Sequence, residues 1–146
     1  MKKVIILVFI IFFISGCSSK IEPIKNDKHT SNEDIQNTLD LVKEGLIKGT
    51  DGTADVWYNE NTKSFYIKYI EGTEQHEALI KLTRIQNSEE IADLLEKFSK
   101  PSLEFANILT KFCGEGYSVI TLNPIDDKGP PLYIAKDGVV LYPILN

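Results

Sequence analysis

Cysteine is scarce in this chain: Cys17 and Cys113 are the only two in 146 residues, which excludes a small domain built on a disulfide framework. Histidine is equally scarce. His29 lies in a polar stretch and His76 at the start of a segment of ambiguous periodicity, so neither is placed by a rigid pattern as a general base or metal ligand. No Gly-rich phosphate loop, no His-Glu-x-x-His and no nucleophile elbow occurs. Acidic side chains gather at Asp51 and Asp55 and again at Asp126 and Asp127, without the alternating ligand spacing of a calcium loop, and they read as solvated turns. Basic residues are scattered with no stripe or aromatic platform, and the formal charge is −5, which argues against nucleic acid as a partner. No metal or cofactor is expected.

What is present begins at the N-terminus. Lys2 and Lys3 precede an apolar run from Val4 to Ile14, about eleven residues, or roughly 16 Å of helix against a hydrocarbon core of about 30 Å. The run is too short to span comfortably. With small residues Ser15 and Gly16 after it, it has the three parts of a secretory signal. Cys17 follows directly, and Ile14-Ser15-Gly16-Cys17 resembles the lipobox of bacterial membrane lipoproteins. That resemblance implies a diacylglyceryl group on the Cys17 thiol, cleavage just before it, and a domain held at the extracytoplasmic face of the cell membrane. Each buried methylene contributes about 0.8 kcal/mol, so two acyl chains hold where one would not. Residues 1–16 are then the signal peptide, 17–32 the lipidated cysteine with a polar tether, and 33–146 a single globular domain. The tether from Ser18 to Asn32 reaches on the order of 20 Å as coil. Without Lys2 and Lys3 the 16 basic residues fall to 14 against 21 acidic ones, moving the charge from −5 to −7. An acidic exterior gives no general attraction to anionic lipid, leaving membrane affinity to the acyl chains.

In the domain, Thr30 or Ser31 is placed to cap a helix with Glu33 or Asp34 completing a capping box, and Ile35, Leu39, Val42 and Leu46 recur at helical spacing up to a stop at Gly49. Ala54–Tyr58 and Ser64–Ile70 are rich in aromatic and β-branched residues and predict a hairpin. Glu74–Ile85 fits either period; good helix formers and Thr73 as a cap favour helix. Ser88 is placed to cap a further helix along Ile91, Leu94, Leu95 and Phe98. Pro101 either kinks it or starts a second helix running to Gly114. Cys113 at that end reads as a small packed residue. A strand meander closes the chain: Tyr117–Leu122, Leu132–Ala135, then an Asp137-Gly138 turn of type I′ and Val139–Ile144.

These elements predict an α+β domain, an antiparallel sheet with helices on one face. The order and the run Gly116-Tyr117-Ser118-Val119, Asn123-Pro124, Leu132-Tyr133 and Lys136 to Tyr142 resemble small Gram-positive membrane lipoproteins of unassigned function, a likeness that brings no catalytic residues. In the first hairpin both faces carry aromatics. If one face is left open, Trp57 with Tyr66 and Tyr69 are the candidate contact residues for an envelope protein. The expected function is a non-enzymatic binding module at the cell surface. The alternatives are a small-ligand carrier or cell-wall-directed enzyme using Asp55 or Glu60, and a prophage-type surface lipoprotein that blocks incoming phage DNA.

Overall fold

The computed structural model describes residues 31–85 and 88–145; the signal segment, Cys17 and the tether through residue 30 lie outside the described residues. Helix α1 (Asn32–Thr50) begins one residue before the expected domain start. Its first turn is closed by a reciprocal pair: the Asp34 N–H donates to Ser31 Oγ at 3.1 Å and the Ser31 N–H donates to Asp34 Oδ2 at 3.2 Å, satisfying two donors that a helix start leaves bare. The helix passes through Gly49 and stops two residues later, where Asp51 adopts a left-handed conformation (φ 46°) and its N–H returns to the Lys48 carbonyl. Aspartate tolerates that region better than most side chains, so the stop needs no glycine.

Strands β1 (Ala54–Asn59) and β2 (Ser64–Tyr69) form the expected hairpin. Helix α2 (Glu74–Thr83) resolves the ambiguous segment as helix, with the His76 N–H donating to the Thr73 hydroxyl at its start. Helix α3 (Ser88–Cys113) is continuous through Pro101, and Ser88 opens its first turn instead of standing before it as a cap. Pro101 is exposed, so the carbonyl that loses its donor lies on the solvent side, where water can replace it. Strands β3 (Ser118–Thr121), β4 (Tyr133–Lys136) and β5 (Val139–Leu141) follow, ending in a 3₁₀ turn at Pro143–Leu145. The β4–β5 turn has φ 46° at Asp137 and 83° at Gly138, the two positive angles that the Asp-Gly pair predicts.

The five strands run in the order β1-β2-β3-β4-β5. Three of the four pairings are antiparallel. The join of β2 to β3 is parallel, Phe65 lying opposite Val119 and Ile67 opposite Thr121, because the chain crosses over through α2 and α3 between them. The sheet is therefore mixed, and the α+β class with helices against the sheet holds.

Side chains alternate across the sheet. One row set, Val56, Phe65, Ile67, Val119 and Ala135, packs with Leu39, Val42 and Leu46 of α1 and Ala106 and Leu109 of α3. A second cluster joins Leu79 and Leu82 of α2 to Leu95, Leu132 and Tyr133. Leu109 is wholly buried, and truncating such a leucine to alanine costs about 2–5 kcal/mol. All three helices thus lie on the same side, and no described helix covers the other. None of the described helices is long and apolar enough to cross a membrane.

Candidate binding face

The open side of the sheet is organised by register. Trp57 lies opposite Tyr66, Tyr66 beside Ile120, Ile120 opposite Ile134, and Ile134 opposite Leu141. Since paired residues share a face, these five side chains form one apolar row across every strand of the sheet. At one end the Trp57 and Tyr66 rings stack with centroids 5.4 Å apart and planes inclined by 11°, and the Tyr66 hydroxyl lies 3.3 Å from Thr62 Oγ1. At the other end Leu141 is 54% exposed, while Trp57 is 37% exposed despite its stacking partner. Polar groups line both flanks. On one, Asp55 lies opposite Lys68, and Lys68 reaches an ion pair with Asp127 from the β3–β4 loop; on the other, Ser64 and Ser118 join hydroxyl to hydroxyl at 2.8 Å beside Lys136.

Tyr69, the third candidate contact residue, is on the opposite side. It pairs with Ala54 and packs against both core clusters, and burial pushes its phenol well above the ordinary value. Alternation already sets it with Phe65 and Ile67, so it belongs to the core and not to the face that Trp57 and Tyr66 share.

The acidic candidates are separated. Asp55 is on the open face, whereas Glu60 lines a cleft of about 600 Å³ between the start of α1 and the first hairpin, together with Asn32, Gln36, Tyr58 and Tyr117. Lys63 Nζ stands 5.4 Å from the centre of the Tyr117 ring there. Burial, and after it the neighbouring Tyr117 and Glu60, pushes the Tyr58 phenol up to about 12. The cleft can hold a small polar molecule against two phenols, with one carboxylate and one ammonium in reach.

Cys113 packs half-buried against the larger core cluster. Burial raises its thiol above the ordinary value, against a smaller opposing effect of the Thr38 hydroxyl, so the thiolate is disfavoured. His76 is placed more rigidly than its sequence position suggests: it is buried, with Nε2 3.1 Å from the Pro124 carbonyl, where it holds the β3–β4 loop against α2. Asp137 also does more than shape a turn. Its Oδ1 accepts from the Gly116 N–H at 3.1 Å and the Thr110 hydroxyl at 3.3 Å, tying the last hairpin to the end of α3. Among the described residues no three His, Cys, Asp or Glu side chains converge as a metal site requires.

The chain matches no family model, no curated protein and no solved structure.

Proposed function

We propose that this chain is a lipid-anchored module at the extracytoplasmic face of a bacterial membrane, held by a diacylglyceryl group on Cys17, that binds an envelope protein through the open face of its sheet. The observation that carries the reading is the apolar row headed by the stacked Trp57 and Tyr66, on the side that no described helix covers. Five strands at about 4.8 Å spacing make the row roughly 19 Å long, a narrow apolar centre with polar flanks. That composition matches a non-obligate protein contact with aromatic anchors better than an obligate interface. Anchoring raises the effective concentration of such a weak contact near the membrane.

In-cell crosslinking followed by affinity purification tests this reading with three chains: the parent, Trp57→Ala and Leu141→Asp. The expected result is one partner recovered with the parent and lost with both variants, since they sit at opposite ends of one row; a partner indifferent to both places the contact elsewhere. Cys17→Ala should leave the membrane fraction or remain unprocessed, and unchanged mass and partitioning would sink the anchor.

The cleft at Tyr58 and Tyr117 favours a second reading, a carrier of a small polar ligand. It gains weight if a ligand co-purifies with the parent and is lost from Tyr117→Ala while Trp57→Ala retains it.

A further inference from the structure

The helical layer has an apolar stripe of its own that the core uses only at Phe105. Along α3, Leu95, Ser99, Ser102, Ala106 and Leu109 face inward and are buried. One position round the helix, Phe98, Pro101, Phe105, Ile108 and Phe112 repeat at the same alternation of three and four, which keeps them on one face. Phe98, Ile108 and Phe112 are 40, 40 and 41% exposed. Alongside runs α1. Gly45 abuts the Phe105 ring and Thr38 lies near Cys113, so the two helices are antiparallel, with Leu41, 68% exposed, one turn before Gly45 on α1.

Charge changes sign along this helix. Its first turns carry Glu89, Glu90, Asp93 and Glu96; from there to Phe112 the charged residues are Lys97, Lys100, Glu104 and Lys111. Lys111 Nζ stands 5.2 Å from the centre of the Phe112 ring. Exposed aromatic and aliphatic groups interleaved with lysines are the composition of a helix face lying in an anionic lipid interface; this stretch of α3 is net basic within an acidic chain, and on the α1 side Asp40 and Glu44 are balanced by Lys43 and Lys48.

The path of the chain leads to the same end of α3. The antiparallel arrangement sets the start of α1, at Ser31, beyond the approach of Thr38 to Cys113 and hence at the Phe112 end of α3. The segment leading back to Cys17 leaves from there.

We infer that the α3 face bearing Phe98, Ile108 and Phe112, with Leu41 of α1, rests on the anionic lipid surface to which Cys17 is anchored, so that Trp57 and the open sheet face point away from the membrane. The inference rests on the lipid-anchor reading and deepens it. The acyl chains hold the protein at the bilayer, and this face sets which way up it lies. Helices lie between membrane and sheet, and the proposed protein-binding row is presented outward.

Trp57 is the sole tryptophan, which makes the test direct. The lipidated full chain is reconstituted into phosphatidylglycerol-containing vesicles with brominated acyl chains, and tryptophan emission is compared with that in unbrominated vesicles. Native Trp57 is expected to keep its emission. Phe112→Trp and, as a second probe at a more exposed position, Leu41→Trp, each in a Trp57→Phe background, are expected to lose emission. Quenching of Trp57 to the same extent, or none at positions 112 and 41 in protein that floats with the vesicles, overturns the orientation and leaves the anchor standing. Protein that does not float overturns both. An Ile108→Cys variant that crosslinks to a second copy while position 112 stays unquenched would assign the stripe to self-association and overturn the lipid contact.

Discussion

Gly45 and Phe105 meet so closely across the α1–α3 seam that a Cβ on the glycine would stand 2.6 Å from the phenylalanine ring. Glycine inside a helix is unfavourable by about 1 kcal/mol against alanine, yet alanine here forces the ring aside, and overpacking costs about 1–3 kcal/mol. Gly45→Ala is expected to lower stability by on the order of 1 kcal/mol, read as a lower urea midpoint. In a Phe105→Leu background the same change should raise the midpoint, because the obstruction is gone and the propensity gain remains. A gain in the parent background would show that the seam is looser than the contact implies.

Asp137 holds two donors from outside its own hairpin. Asp137→Ala removes both acceptor contacts and puts a β-carbon residue without a compensating amide or carboxylate at φ 46°; a loss of about 1–2 kcal/mol is expected. Asp137→Asn keeps an acceptor oxygen and tolerates the left-handed region, so it should lose distinctly less. Equal losses would mean that charge, and not the hydrogen-bond geometry, supplies the effect.

Burial raises the phenols of Tyr58, Tyr69 and Tyr133 above their ordinary value. Such a group stays protonated in the fold while the unfolded chain ionises. Its stability contribution is whole below the unfolded value and is lost as pH climbs through the folded one. For Tyr58 that window runs from 10.0 to about 12, and Tyr69 and Tyr133 extend it in the same direction. Urea midpoints should fall as pH rises through this range, and Tyr69→Phe should make the fall shallower. An unaltered slope would show that Tyr69 ionises as readily folded as unfolded.

The Cys113 thiol is raised by burial at the end of α3, and the thiolate is the reactive form. Alkylation by iodoacetamide at neutral pH is expected to be slow in the native protein and to accelerate through the urea transition. Rapid native alkylation would instead identify an accessible, activated thiol and favour an enzymatic reading.

The hairpin, the last turn and the helical spans were legible because local chemistry fixes them: β-branched and aromatic runs around Asn59 to Thr62, the Asp137-Gly138 pair, and apolar spacing through α1 and α3. What remained hidden depends on partners distant in the chain. The bond from His76 to the Pro124 carbonyl joins residues 48 apart, and nothing near His76 announces it. The parallel β2–β3 pairing has the same origin, although strands flanking two helices are the arrangement that permits it. Tyr69 is a different case, because its alternation with Phe65 and Ile67 along one strand is readable without any distant partner. For the binding face, Trp57 and Tyr66 could be placed together from the hairpin alone, but Ile120, Ile134 and Leu141 enter the row only through the order of strands.

That order also governs the sequence of assembly. β2 is an interior strand whose second neighbour arrives only after the whole crossover has been made, so a chain emerging N-terminus first completes α1 and the β1–β2 hairpin with one β2 edge unpaired and with Phe65 and Ile67 lacking Ala106, Leu109 and Val119. Closure of that long loop must precede the contacts that reward it. The half-built sheet is therefore the species most exposed to proteases and to pairing with other chains, and arrival of Val119 against Phe65 is the step that ends its vulnerability.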